Sequence, residues 1–245
     1  MIIPEKTFRY ITPTLRILTE QLNKQALFTA GSFHLFEWPQ QLEDRMSDLL
    51  ALRRHNGLIN QRPFIIWEPA PLSCENEHLS LFFSSMKLVD VFSPNHLELF
   101  RIFGERPSTP FNRIQVEDLA KRFLDAGIGP EQTGSIIVRA GEHGSMVLAP
   151  DGVPCWIPPY YQDSSKVVDA TGAGNAFLGA YAIGYLKTRD SYQAACYGSV
   201  AATFALEQIG IPCRTVLNGQ ELWNGVDVSE RLKAYMARII PGTSD

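Results

Sequence analysis

The feature that most constrains this chain is a rhythm. Short apolar runs closed by turn residues alternate with longer stretches of helical period. Strands are expected at Ala26–Ala30 (ALFTA), Phe64–Trp67 (FIIW), Leu88–Phe92 (LVDVF), Ser135–Arg139 (SIIVR) and Ser145–Ala149 (SMVLA). The AGEHG between the last two predicts a tight turn joining neighbouring strands. Helices are expected at Gln41–His55, Glu75–Met86, His96–Phe103, Val116–Ala126, Asn175–Lys187, Ser191–Gln208 and Gly219–Arg238. In the helix from Val116, the residues Val116, Leu119, Ala120, Phe123 and Leu124 recur at helical spacing, and Gly127 follows as a C-cap. Strands alternating with helices of this length specify βαβ units and a mostly parallel sheet with helices on both faces. No repeat or linker divides the chain, so one α/β domain over residues 1–245 is expected.

Composition narrows the partners. Lys and Arg total 22 against 26 Asp and Glu, a formal net charge of -4, which offers no basic footprint for nucleic acid. A membrane span needs about 20 apolar residues. The longest apolar stretch, Ala176–Leu186 (AFLGAYAIGYL), is half that and broken by glycines, so it reads as a core helix. Pro4, Glu5 and Lys6 fall where a signal peptide needs an apolar run. Cys74, Cys155, Cys196 and Cys213 form no C-x-x-C pair, and there is no Asn-x-Ser/Thr sequon. Reduced thiols and a cytoplasmic location are the expectation. The five histidines show no paired metal spacing and predict no site. Glu68, at the end of a strand, reads as a turn residue within reach of a substrate cleft.

The chemistry is concentrated in Val167-Val168-Asp169-Ala170-Thr171-Gly172-Ala173-Gly174-Asn175-Ala176-Phe177. A β-like run enters a turn of small residues, and a helix begins at once. Small residues admit a ligand close to the backbone, and the first helical amides have no acceptor of their own. With the helix dipole they make an anion site; an ordinary strand-to-helix turn has the same local composition. Gly172-Ala173-Gly174 lacks the third glycine of a dinucleotide fingerprint. Gly179 and Gly184 lack the Lys-Ser/Thr of a Walker loop.

DATGAGNAF resembles the D-T-x-G-A-G-D-x-F signature of the PfkB, or ribokinase-like, carbohydrate kinases. Three further segments are similar to family motifs in the same order. Ser93-Pro94-Asn95-His96-Leu97-Glu98 resembles P-N-x-x-E, and Val138-Arg139-Ala140-Gly141-Glu142-His143-Gly144-Ser145 resembles the T-x-G-x-x-G-S hairpin. Residues 194–210 resemble the Ala-rich helix beside the nucleotide base. The motifs lie within residues 60–212. The wording FRYITP, SFHL, IWEPAP and VFSPNHLEL most resembles the fungal maintenance-of-killer branch.

The resemblance implies a three-layer α/β/α fold and phosphoryl transfer from Mg-ATP to a sugar or small-alcohol hydroxyl. It implies that the backbone of Gly172, Ala173 and Gly174 forms the anion hole. Asn95 and Glu98 would lie by the phosphates, Glu98 organising Mg2+ through water. The same Asn95-x-x-Glu98 spacing is a helix cap with its capping-box acid, and both roles are compatible. Gly141 and Gly144 would bring the hairpin to the nucleotide, Ser199 would lie near adenine, and Asp169 and Thr171 would lie where many members bind a monovalent cation.

Two departures qualify the implied activity. The catalytic-base position holds Asn175, whose amide cannot accept a proton near neutral pH although it can orient a hydroxyl. The family's opening strand, Gly-Gly sugar motif and lid strands do not precede Thr7-Phe8-Arg9-Tyr10. Sugar-contacting residues are therefore not assigned, and an isolated chain is expected to be poorly stable or to pair, as a homodimer or with a protein partner. A weakened kinase and an inactive pseudokinase that binds nucleotide or acts as a scaffold both follow; an incomplete product is a third reading, resting on that gap alone.

Overall fold

The computed structural model describes residues 17–23 and 27–239. Readings placed on the first 16 residues, FRYITP among them, and on Ala26 lie outside these. The chain runs α1 (Thr19–Asn23), β1 (Ser32–Glu37), α2 (Pro39–His55), β2 (Phe64–Pro69), α3 (Leu79–Ser85), β3 (Val91–Phe92), α4 (His96–Ile102), α5 (Arg113–Asp125) and β4 (Ser135–Arg139). It continues through β5 (Ser145–Leu148), β6 (Pro154–Ile157), α6 (Ala173–Thr188), α7 (Ser191–Leu206), β7 (Arg214–Leu217), β8 (Gln220–Trp223) and α8 (Val228–Ile239).

Six strands form one sheet in the order β1-β2-β3-β4-β5-β6. The first four are mutually parallel, and β5 and β6 return antiparallel. Strand β2 is buried at every position after Phe64, as a central parallel strand covered on both faces must be. Alternation divides its side chains. Ile65 and Trp67 join the core beneath α2, α3, α4 and α5, while Ile66 joins Val91, Ile137, Val147 and Ile157 beneath α6, α7 and α8. The result is the three-layer α/β/α architecture. In α5 the expected stripe of Val116, Leu119, Ala120 and Phe123 is buried.

Helices α6 and α7 pack so closely that a Cβ on Gly184 would lie 2.9 Å from Ala194 Cα, and one on Gly198 2.8 Å from the Phe177 ring. Their all-round apolar character is that of core helices. No helix among the described residues is long and apolar enough to cross a membrane.

Several sequence expectations are corrected. Leu27–Thr29 is a single 3-10 turn, and the strand begins at Ser32, where the backbone pairs with β2. The expected strand at Leu88 shrinks to Val91–Phe92 because Met86–Leu88 is a 3-10 turn. There Asp90 takes the Ile65 N–H and the Arg62 guanidinium. The expected helix over Glu75–Met86 is helical only from Leu79, after a separate 3-10 turn at Asn76–His78. Pro154–Ile157, unassigned in the sequence, pairs with β5. The helix expected from Gly219 starts at Val228, because Gln220–Trp223 folds back on β7 as a hairpin. Val167-Val168 is not a strand: the Val168 and Asp169 N–H groups donate to Leu206 O at the end of α7, at 2.7 and 3.3 Å.

Candidate functional site

The anion segment opens α6 on the face shared with Ile66 and Ile137, near the carboxyl ends of the parallel strands. Open α/β sheets characteristically bind ligands at such ends. Gly172 occupies the N-cap with φ 82°, a left-handed backbone that suits glycine. The Ala173 N–H donates to Ala170 O, and the first helical bond runs from Ala176 N–H to Gly172 O. The Gly174 and Asn175 N–H groups are left without an acceptor among the described residues. These are the donors that a helix start offers an anion.

A buried charge cluster lies against this turn. Arg139 ends β4 and Glu68 lies near the end of β2, both on the α6 side of the sheet, and Arg139 Nη1 is 2.6 Å from Glu68 Oε1. Arg139 Nη2 donates to Ser93 O at 3.0 Å and lies 3.7 Å from Glu98 Oε2. His34, on β1, places Nε2 2.9 Å from Glu68 Oε2. A Cβ on Gly174 would meet Arg139 Nη1 at 2.3 Å and Glu68 Oε1 at 3.6 Å, so glycine is required there by close approach. Burial pushes the Glu68 carboxyl up, but the adjacent His34 imidazole and the Arg139 charge outweigh it and hold it below the usual carboxylate range. Burial dominates at Glu98 and raises it, despite the Arg139 charge and the Asn95 N–H.

Asn95 and Glu98 form a complete capping box on α4. Asn95 Oδ1 accepts from Glu98 N–H at 2.9 Å, and Glu98 Oε2 accepts from Asn95 N–H at 2.7 Å. The Glu98 oxygen that faces the cluster is thus engaged by a backbone donor and overlooked by a guanidinium. The other oxygen, Glu98 Oε1, takes no hydrogen bond among the described residues and could accept from metal-bound water. Among the described residues there is no group of three or more His, Cys, Asp or Glu able to hold a metal.

The structure brings Gly174, Asn95 and Glu98 to the Arg139–Glu68 pair, and Gly172 and Ala173 precede Gly174 in the same turn. Asn175 is exposed on the first turn of α6. Gly141 and Gly144 flank the β4–β5 turn with φ of 59° and 89°, and a Cβ on Gly144 would lie 2.1 Å from Ile157 O. Asp169 Oδ1 accepts from both the Thr171 N–H (3.0 Å) and its hydroxyl (2.8 Å), closing a local turn. Ser199 lies in α7 with its side chain at Tyr235 and does not join the cluster. Sequence reasoning missed His34 and Arg139 and read Glu68 as a turn residue. A signal was present: FIIWE and SIIVR are apolar strands that end in opposite charges, which a buried sheet tolerates only as a pair.

A model of the pfkB family of carbohydrate kinases matches residues 23–212. An uncharacterized protein of Schizosaccharomyces pombe is 30% identical over 244 residues, 94% of this chain and 66% of that protein. The protein MAK32 of Saccharomyces cerevisiae is 30% identical over 248 residues, 95% of this chain and 65% of its own. The chain thus spans just under two thirds of these relatives. Among solved structures, Arabidopsis thaliana ribokinase complexed with ribose and ATP superposes with a TM-score of 0.57 at 17% identity, covering 87% of this chain and 58% of that one.

Proposed function

The chain belongs to the pfkB family of carbohydrate kinases, and on that premise we propose that it binds ATP and transfers phosphate slowly to a sugar or small-alcohol hydroxyl. The observation that carries this reading is the pair of N–H groups at Gly174 and Asn175, without an acceptor among the described residues, opening α6 beside a buried arginine. Preorganised donors of this kind act where charge develops on the transferring phosphoryl group, and losing one typically costs about 100- to 1,000-fold in rate. Mg2+ enters as the nucleotide's own counter-ion. Gly141 and Gly144 let the β4–β5 turn border the nucleotide.

Slow turnover follows from Asn175. Its amide orients a hydroxyl but takes no proton, and general-base catalysis is worth roughly 100- to 10,000-fold. The same residue favours a second reading, a pseudokinase that binds nucleotide and acts through that binding alone. The two readings separate on Asn175→Asp, assayed by ADP release across a panel of sugars. A rise of about 100-fold or more on one acceptor supports the kinase. No rise, with ATP still bound, supports the pseudokinase.

A further inference from the structure

We propose that the cavity at the amino-terminal ends of the parallel strands is a second ligand site, which takes the phosphate monoester of a small polyhydroxyl compound, a sugar phosphate. It lies at the opposite end of the strands from the turn that opens α6, and so it does not depend on the phosphate-site reading above.

The cavity has a volume of about 640 Å3, within the ordinary range for a small-molecule site. Phe64, Asp90 and Ser135 line it where β2, β3 and β4 begin, and Tyr185 and Arg189 line it at the end of α6. Glu68 stands four residues further along β2, about 13 Å away.

Charge singles this cavity out. In a chain of net charge -4, the charged residues that line it are Arg53, Arg62, Arg189 and Asp90. Asp90 is spent on Arg62, 2.6 Å from its Nη1. The other two arginines have no carboxylate partner among the described residues. Arg53 is only 3% exposed, yet its guanidinium donates to backbone carbonyls alone. Nη1 donates to Phe28 O and Ala30 O, and Nη2 to Gln61 O. These bonds fix the group without cancelling its charge, and its buried Nε–H has no acceptor among the described residues. Buried charges are ordinarily paired. Arg189 sits at the exposed rim, its guanidinium over the Tyr185 ring at 6.0 Å from the centroid. Two uncompensated guanidinium groups on one cavity suit a dianion, and arginine forks match phosphate oxygens.

The rest of the lining points to the esterified group. Gln61, Ser135 and Ser191 add polar side chains. Phe64 and Tyr185, stacked with ring centroids 4.4 Å apart, form an apolar wall. Polar groups for hydroxyls and one apolar face for the C–H side of a ring match a sugar.

The test is calorimetric titration of the whole chain with glucose 6-phosphate, with glucose as the uncharged control. Saturable binding of the phosphate ester is expected at millimolar concentration or below, and none of glucose. Arg189 is exposed, so Arg189→Gln leaves the core intact. That variant is expected to bind roughly 10- to 100-fold more weakly, the scale of a charge-assisted hydrogen bond. Hydrogen exchange then locates the ligand, with protection expected over residues 185–191 at the end of α6 and none over 172–175 at its start. Absence of binding by the folded chain, equal binding of glucose, unchanged affinity in Arg189→Gln, or protection over 172–175 in place of 185–191 each overturns the proposal.

Discussion

At the scale of single residues, the site is an electrostatic compromise centred on Glu68. Its carboxylate offsets Arg139, and both side chains are largely buried. Removing one partner of such a pair leaves an uncompensated charge and typically costs about 3–5 kcal/mol. Glu68→Gln is therefore expected to lower the urea midpoint by a loss of that order at pH 7. The pH dependence has a definite sign. Glu68 is held below its ordinary 4.5 in the folded state, so its contribution is complete above that value and drains away as pH falls through the lower folded value. Urea titrations at falling pH should show this acid-side loss in the unmodified chain and a shallower one in Glu68→Gln. Equal slopes would mean that the carboxylate is not stabilised by its neighbours. Gly172 to Gly174 was legible in the sequence because small residues announce a close approach. The Arg139–Glu68–His34 cluster was not, because its members lie on three strands and only the sheet register brings them together.

Among the elements, α4 shows how one piece of local structure supports the site. Its capping box fixes Asn95 and Glu98 by two reciprocal bonds, and Leu99 and Phe100 anchor the helix in the core. Asn95→Ala removes the acceptor for the Glu98 N–H and should cost about 1 kcal/mol, within the range of 0.5–2 for lost caps. Thermal unfolding would measure it; an unchanged midpoint would contradict the capping role. Elements with two-sided burial or a clear helical stripe, such as β2, β4 and α5, were legible from sequence because burial imposes the pattern. Strand β1 was misplaced because the sequence SFHLFE mixes polar and apolar residues at a half-exposed position. The β7–β8 hairpin was missed for a similar reason, since its strands are largely exposed and no core periodicity marks them.

For the molecule as a whole, the sheet is the rigid partition on which the site depends. One face carries α2 to α5 and the other α6 to α8, and the anion turn meets the Arg139–Glu68 pair on the α6 side while Asn95 and Glu98 reach it from α4 on the other. A ligand spanning them should stabilise the entire fold. Binding to the folded state alone contributes about 2.7 kcal/mol at a hundredfold excess over Kd. For a chain of this length that is roughly 5–10 °C in thermal midpoint. Saturating ATP should therefore raise the unfolding midpoint by several degrees, and a flat response would show that no such linkage exists.

Everything proposed for ATP and phosphoryl transfer in this protein turns on phosphate being held by the turn that opens α6. The most direct measurement is calorimetric titration of the folded chain with ATP, in Mg2+ buffer, alongside Gly174→Asp. That substitution drives a side chain into Arg139 and adds a negative charge where phosphate would lie. One saturable binding event is expected in the unmodified chain, and its loss in the variant. No saturable binding at millimolar ATP, or binding untouched by Gly174→Asp, would contradict it.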